Sequence, residues 1–185
     1  PKEGTIALWV KVDSFNFCKI FYANRPSPEQ SIYDYKFELG LGEDDGINTN
    51  KFYFKLTRGG SNEDITCNDS IELNQWIHVV ITYGESIMGM NVSRSENGLR
   101  TEQTTTSPST ITDDEAEIPM DEVYLNKAGN DTGNFYGTIS SLQIWDYVLS
   151  GVEVDTLYNL GKNTSISISM YSGLIHELIF GSYTP

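Results

Sequence analysis

Apolar and polar side chains alternate with a period of two along much of this chain. Tyr33, Tyr35, Phe37, Leu39 and Leu41 alternate with Asp34, Lys36 and Glu38, and Phe52, Phe54 and Leu56 alternate with Lys51 and Lys55. Each run offers one face to a core and one to water, as half-buried antiparallel strands do. Similar chemistry predicts strands at 4–12, 15–22, 32–41, 51–57, 76–83, 87–95, 99–105, 122–126 and 137–145. Asn97-Gly98 carries a hairpin signal between two polar strands. The Thr/Ser/acid run over 101–117 holds Pro108 and few apolar residues, which predicts a long exposed loop. Glu43-Asp44-Asp45, Glu63-Asp64, and Asp113-Asp114-Glu115 with Glu117 fall where turn residues cluster, so these acids are expected in loops.

A helical pattern occurs once. Ser150 and Glu153 have the spacing of a capping box, and Val154, Leu157 and Tyr158 follow at i, i+3 and i+4. One short helix is expected near 150–159, following a strand in which Leu142 and Ile144 face opposite to Ser141 and Gln143.

The whole stretch Phe135–Tyr158, F-Y-G-T-I-S-S-L-Q-I-W-D-Y-V-L-S-G-V-E-V-D-T-L-Y, resembles the final strand and helix of the laminin G-like and pentraxin family. Gly4–Val12 (G-T-I-A-L-W-V-K-V) is similar to the family's early strand, and Trp76–Tyr83 (W-I-H-V-V-I-T-Y) to its W-x-H-V strand. The three motifs stand in the family's order. The resemblance implies an all-β, concanavalin A-like jelly-roll sandwich of two antiparallel sheets, used mostly outside cells for adhesion, glycan binding or assembly. Fold by itself does not set function.

Residues 1–163 are expected to form this laminin G-like domain. Residues 164–185 return to strand chemistry after Gly161, and Gly173, Ile175, Leu178 and Phe180 repeat the spacing of Gly137, Ile139, Leu142 and Ile144. A closing strand of the same domain is preferred to the start of a second module, because one strand cannot bury its apolar face alone. The family's customary first strand has no counterpart before Gly4, and 164–180 could fill that gap. Pro1 opens almost directly on a strand, so the chain is expected to be a piece of a longer secreted protein.

Composition narrows the partners. Twelve basic against 26 acidic residues give a net charge of -14, which repels nucleic acid and anionic membranes. The plainer reading of the acid is solubility rather than an acidic binding face. No run approaches 18 consecutive apolar residues, so no membrane insertion is expected in this segment.

Two cysteines, Cys18 and Cys67, are an even count for an extracellular sandwich, and the resemblance implies a disulfide between positions in this order. Such a bridge would stabilise by about 4 kcal/mol. Two buried free thiols are the alternative. Sequons at Asn68, Asn91, Asn130 and Asn163 fit an extracellular or cell-surface glycoprotein, with Asn68, Asn130 and Asn163 in expected loops and Asn91 on an exposed strand face.

Catalytic motifs find little support. Of two His, His78 sits in the W-x-H strand, where a structural hydrogen bond is expected, and His176 lies beside Glu177. No G-x-S-x-G, H-E-x-x-H, C-x-x-C or P-loop pattern occurs, nor the paired carboxylates a glycoside hydrolase needs. A non-enzyme is expected. In pentraxins a calcium site follows the strand matching Val123–Leu125, but here Asn126–Asp131 carries a Lys and one acid. The double site is therefore expected to be lost, leaving room for one weakly held Ca2+ at Asp131 and Asn134.

These readings predict a noncatalytic structural or adhesive module contacting extracellular proteins, glycans or its own copies. The alternative is a lectin-like domain with ligand on loops or a concave sheet, where Tyr53 and Trp9 could stack on sugar if they are not simply packed in the sandwich.

Overall fold

The computed structural model describes residues 3–25, 35–42, 50–58, 61–84, 87–96, 99–108, 122–127, 134–163 and 173–179. Eleven strands and one helix follow in order among them: β1 (Gly4–Val12), β2 (Cys18–Arg25), β3 (Tyr35–Leu41), β4 (Phe52–Arg58), β5 (Ser61–Thr66), β6 (Trp76–Tyr83), β7 (Ile87–Glu96), β8 (Leu99–Pro108), β9 (Glu122–Lys127), β10 (Gly137–Trp145), α1 (Gly151–Leu160) and β11 (Leu174–Ile179). One sheet runs β11-β10-β1-β6-β7-β8 and the other β5-β4-β3-β2-β9, with antiparallel neighbours throughout. This is the jelly-roll sandwich that the alternation and the family motifs predict.

The alternation sets the core. Ile6, Leu8, Val10 and Val12 of β1 point between the sheets with Ile77, Val79 and Ile81 of β6, and meet Phe37, Leu39, Phe52, Phe54 and Leu56 of the opposite sheet. The rings of Phe37 and Tyr83 bridge the layers with centroids 4.9 Å apart. Burying each such side chain contributes about 1.5–3 kcal/mol.

A second, smaller cluster lies on the outer face of the six-stranded sheet, where Ala7, Val80, Trp145 and Leu149 receive Val154 and Leu157 of α1. Local chemistry starts this helix. Glu153 N–H donates to Ser150 Oγ at 3.4 Å, and Ser150 N–H donates to Glu153 Oε2 at 2.7 Å, completing the capping box. The Ser150 N–H also holds the Glu153 carboxyl below its ordinary range. Upstream, Thr5 Oγ1 donates to Tyr147 O at 2.8 Å and accepts from Leu149 N–H at 2.9 Å, which fixes the turn between β10 and α1. Beyond α1, β11 pairs with β10 and extends the sheet at that edge.

Three expectations are corrected. Ser61–Thr66 is a strand, so Glu63 and Asp64 lie on a sheet edge and not in a loop. β8 continues to Pro108, through the first half of the expected 101–117 loop. Glu43-Asp44-Asp45 and Asp113–Glu117 fall outside the described residues, as do Asn97 and Gly98, although Glu96 and Leu99 on either side pair in register. The third concerns Cys18 and Cys67, which are buried free thiols and form no disulfide. Cys18 pairs with Leu41 and Leu41 with Phe52, while Cys67 N–H donates to Phe52 O. Three strand spacings therefore separate the two cysteines, about 14 Å at ~4.8 Å per strand. A disulfide tolerates Cα separations of no more than about 7 Å.

Candidate functional site

The outer faces of the two sheets differ. On the six-stranded sheet, Trp9 is only 8% exposed, with its ring 5.0 Å from that of His78 and 5.3 Å from that of Tyr158 on α1. Helix and sheet enclose it, so Trp9 is a packing residue and not a platform for sugar. His78 is buried beside it, and its Nδ1 has no hydrogen-bond partner among the described residues. The ring stacks on Trp9, and Nδ1 does not supply the structural hydrogen bond expected there. Burial, with help from the Arg100 charge, pushes the His78 pKa down to about 3, so the ring is neutral.

No helix packs on the outer face of the five-stranded sheet among the described residues. Strand register brings Tyr124, Tyr22, Glu38, Lys55 and Asp64 into one row across it, with Lys19, Gly40, Tyr53 and Thr66 in the next. A bulge in β2 decides which ring faces outward. Ile20 is the extra residue, so Ile20 and Phe21 both enter the core and Tyr22 emerges on the opposite face.

Towards the β9 edge of this face stands a compact aromatic and ionic group. Tyr22 and Tyr124 rings lie 6.2 Å apart, and Lys19 Nζ stands 5.1 Å from the Tyr22 ring centre and 3.0 Å from Glu38 Oε1. The ammonium is thus shared between a carboxylate and a π face. Tyr124, at 38% exposure, presents the accessible ring of the pair. Asn24, two residues along β2, has a buried Oδ1 without a hydrogen-bond partner among the described residues. Such an acceptor is costly unless a donor reaches it. Tyr53 lies over Gly40 with Phe17 stacked 6.0 Å away and is 7% exposed, so it supports the face but offers little free ring.

Other expected site residues are scattered. Asn68 is exposed just after β5. Asn91 is half-buried in β7, with Nδ2 donating to Glu102 and Thr104 and Oδ1 accepting from Ser93. Asn163 is exposed beyond α1 and accepts from Ser140 Oγ at 3.1 Å. Asn130 and Asp131 lie outside the described residues, Asn134 is exposed, and the His176 side chain is not described. Asn126 Oδ1 accepts from Phe135 N–H at 2.8 Å and ties the end of β9 to the residues just before β10. Among the described residues no three His, Cys, Asp or Glu side chains converge to hold a metal. The group that does converge, Lys19, Tyr22, Glu38 and Tyr124, escaped sequence reasoning. Its one signal was the polar side of the alternation around Glu38.

Residues 1–155 match the concanavalin A-like lectin/glucanases superfamily, and the chain belongs to it. Among curated proteins, none matches the sequence. Among solved structures, a Bacteroides ovatus protein designated as carbohydrate binding aligns over 100% of this chain and 47% of its own, at 19% identity and a TM-score of 0.62. The enzymatically active domain of bacteriophage CBA120 tailspike protein 2 aligns over 100% of this chain and 27% of its own, at 12% identity and a TM-score of 0.58. The LG1-3 region of the laminin alpha2 chain aligns over 81% of this chain and 29% of its own, at 11% identity and a TM-score of 0.56. The chain thus spans less than half the length of each. These likenesses establish a shared fold. They also correct the expectation of a non-enzyme: the fold is shared with an enzymatically active domain and gives no ground for excluding catalysis.

Proposed function

We propose that this domain is a glycan-contacting, adhesive module, working at a cell surface or outside the cell, whose ligand lies on the outer face of the five-stranded sheet. The observation that carries this reading is the Tyr22–Tyr124 pair beside the Lys19–Glu38 ion pair. A sugar ring has apolar C–H faces that stack on an aromatic ring and hydroxyls that both donate and accept. The exposed Tyr124 ring supplies the first need. Lys19 donates and Glu38 accepts. Few, well-placed polar groups beside aromatic surface are the usual make-up of a small-ligand site. The carbohydrate-binding designation of the Bacteroides ovatus neighbour, with which the chain shares its fold, supports the same class of ligand.

Screening the chain on an array of soluble oligosaccharides, followed by calorimetric titration of the hits, tests this. Tyr124→Ala should weaken binding at least tenfold, about 1.4 kcal/mol, with little change in thermal stability. Glu38→Gln should weaken it as well. Undiminished binding in both variants would place the ligand elsewhere.

A further inference from the structure

The six-stranded sheet carries a second aromatic and charged group just past the end of α1. Lys11 of β1 stands between Trp76 of β6 and Thr138 of β10 in the strand register, next to the row in which Trp9 and His78 lie under the helix. Trp9 and Lys11 are two residues apart and so share the outer face. Tyr136 continues that face beyond Thr138. Its carbonyl accepts from Asp13 N–H at 2.9 Å, and its side chain is 54% exposed. Two residues from the direct partner of Lys11, it falls within the diagonal reach of that long side chain.

Two ammonium groups converge on Trp76. Lys162 Nζ lies 5.1 Å from the centre of its ring and Lys11 Nζ 6.0 Å. The backbone that presents Lys162 is held to the sheet, because Ser140 Oγ donates to Lys162 O at 2.6 Å. Little negative charge answers them. Lys11 has Asp13 at 3.9 Å, a long and partly exposed contact, and Lys162 pairs with no carboxylate among the described residues. A cation over a ring at the surface gains little, and two like charges drawn to one ring oppose each other. The group is thus a positive spot on a chain whose net charge is -14.

We propose that Trp76, Lys11, Lys162 and Tyr136 form a second ligand site, on the sheet opposite the Tyr22–Tyr124 face, for a carboxylate-bearing sugar such as a uronic acid unit. Its carboxylate accepts from Nζ of Lys11 and Lys162, and its C–H face rests on the exposed Tyr136 ring. A neutral sugar would leave both ammonium groups uncompensated, so charge selects the ligand here. The other sheet has no such preference, because Lys19 already holds Glu38 at 3.0 Å. The two sites share no residue, and this one stands whether or not a glycan binds at Tyr124.

Tryptophan fluorescence reads this site directly, because Trp9 and Trp145 are buried and Trp76 is half-buried. Titrating the full chain with digalacturonic acid at low salt should change the emission, and Trp76→Phe should abolish that change. The dimethyl ester of the same disaccharide keeps the rings and loses the charge, and should bind about tenfold more weakly or worse. Lys162→Gln and Lys11→Gln should each weaken binding of the acid by about tenfold, with unchanged circular dichroism, and Lys162→Arg should retain it. Tyr136→Ala should weaken the acid and the ester alike. Tyr124→Ala should leave this titration unchanged, which separates the site from the one on the other sheet. No emission change at millimolar acid, equal affinity for acid and ester, undiminished binding in both glutamine variants, or the same response to sodium sulfate at matched ionic strength would overturn the site.

Discussion

Arg100 on β8 forms an ion pair with Asp155 on α1 while its guanidinium carbon lies 4.5 Å from the centre of the Tyr158 ring. The same group donates to Ser93 Oγ at 3.0 Å and pairs with Glu102 at 2.7 Å. Arg100 thus joins the helix to the two strands farthest from the one that launches it. Asp155 is 53% exposed, so its share is that of a surface pair, about 0–1 kcal/mol. Arg100→Ala should cost more, about 1–2 kcal/mol, because it also removes the stacking on Tyr158 and the Ser93 bonds. Urea unfolding should rank Arg100→Ala as the costlier and Asp155→Ala as the milder change.

His78 should make the domain acid-sensitive. Its pKa falls from 6.5 to about 3 on folding, chiefly through burial. Between those values the unfolded chain holds a proton that the folded chain does not, so stability falls as pH drops from about 6.5 towards 3. The slope from this group is at most about 1.4 kcal/mol per pH unit. His78→Phe, which keeps a ring between Trp9 and Tyr158, should flatten the pH dependence of the thermal midpoint below neutrality. A curve parallel to that of the wild type would show that His78 is reached by water.

Cys18 and Cys67 should behave as two protected thiols. Reductant should leave the thermal midpoint unchanged, and a thiol reagent should find two reactive groups in denaturant and almost none in the native protein. Burial raises both pKa values from 9.0 to about 11. Above pH 9 the unfolded chain releases protons that the folded one retains, so stability should decline between pH 9 and 11.

Gly40 should tolerate no side chain. A Cβ there would stand 2.2 Å from Cys18 O and 2.5 Å from the Tyr53 ring. Gly40→Ala should cost about 1–3 kcal/mol, the range for forcing extra volume into a packed site. Tyrosine fluorescence and denaturant midpoints would report the displaced Tyr53 ring and the lost stability together.

What could be read from the sequence was local. Ser150 and Glu153 declare their helix because both halves of the capping box lie within four residues, and β1, β6 and β10 show because their apolar positions face a deep core. β5 was missed because Ser-Asn-Glu-Asp-Ile-Thr needs only Ile65 to reach that core. The second half of β8 read as loop because Thr104 and Thr106 are exposed and edge strands need little apolar surface. The cysteine separation and the Tyr22–Tyr124 pairing depend on register between distant strands, and the bulge at Ile20 reverses the side that simple alternation assigns to Tyr22. Neither quantity is written into any short window.

The helix occupies one side of the molecule and the tyrosine face the other. Val152 on α1 is 75% exposed and lies on the helix side. A dye or tether attached there would stand clear of a ligand seated at Tyr124, so the helix is the natural handle for holding the domain on a support while its opposite side is sampled.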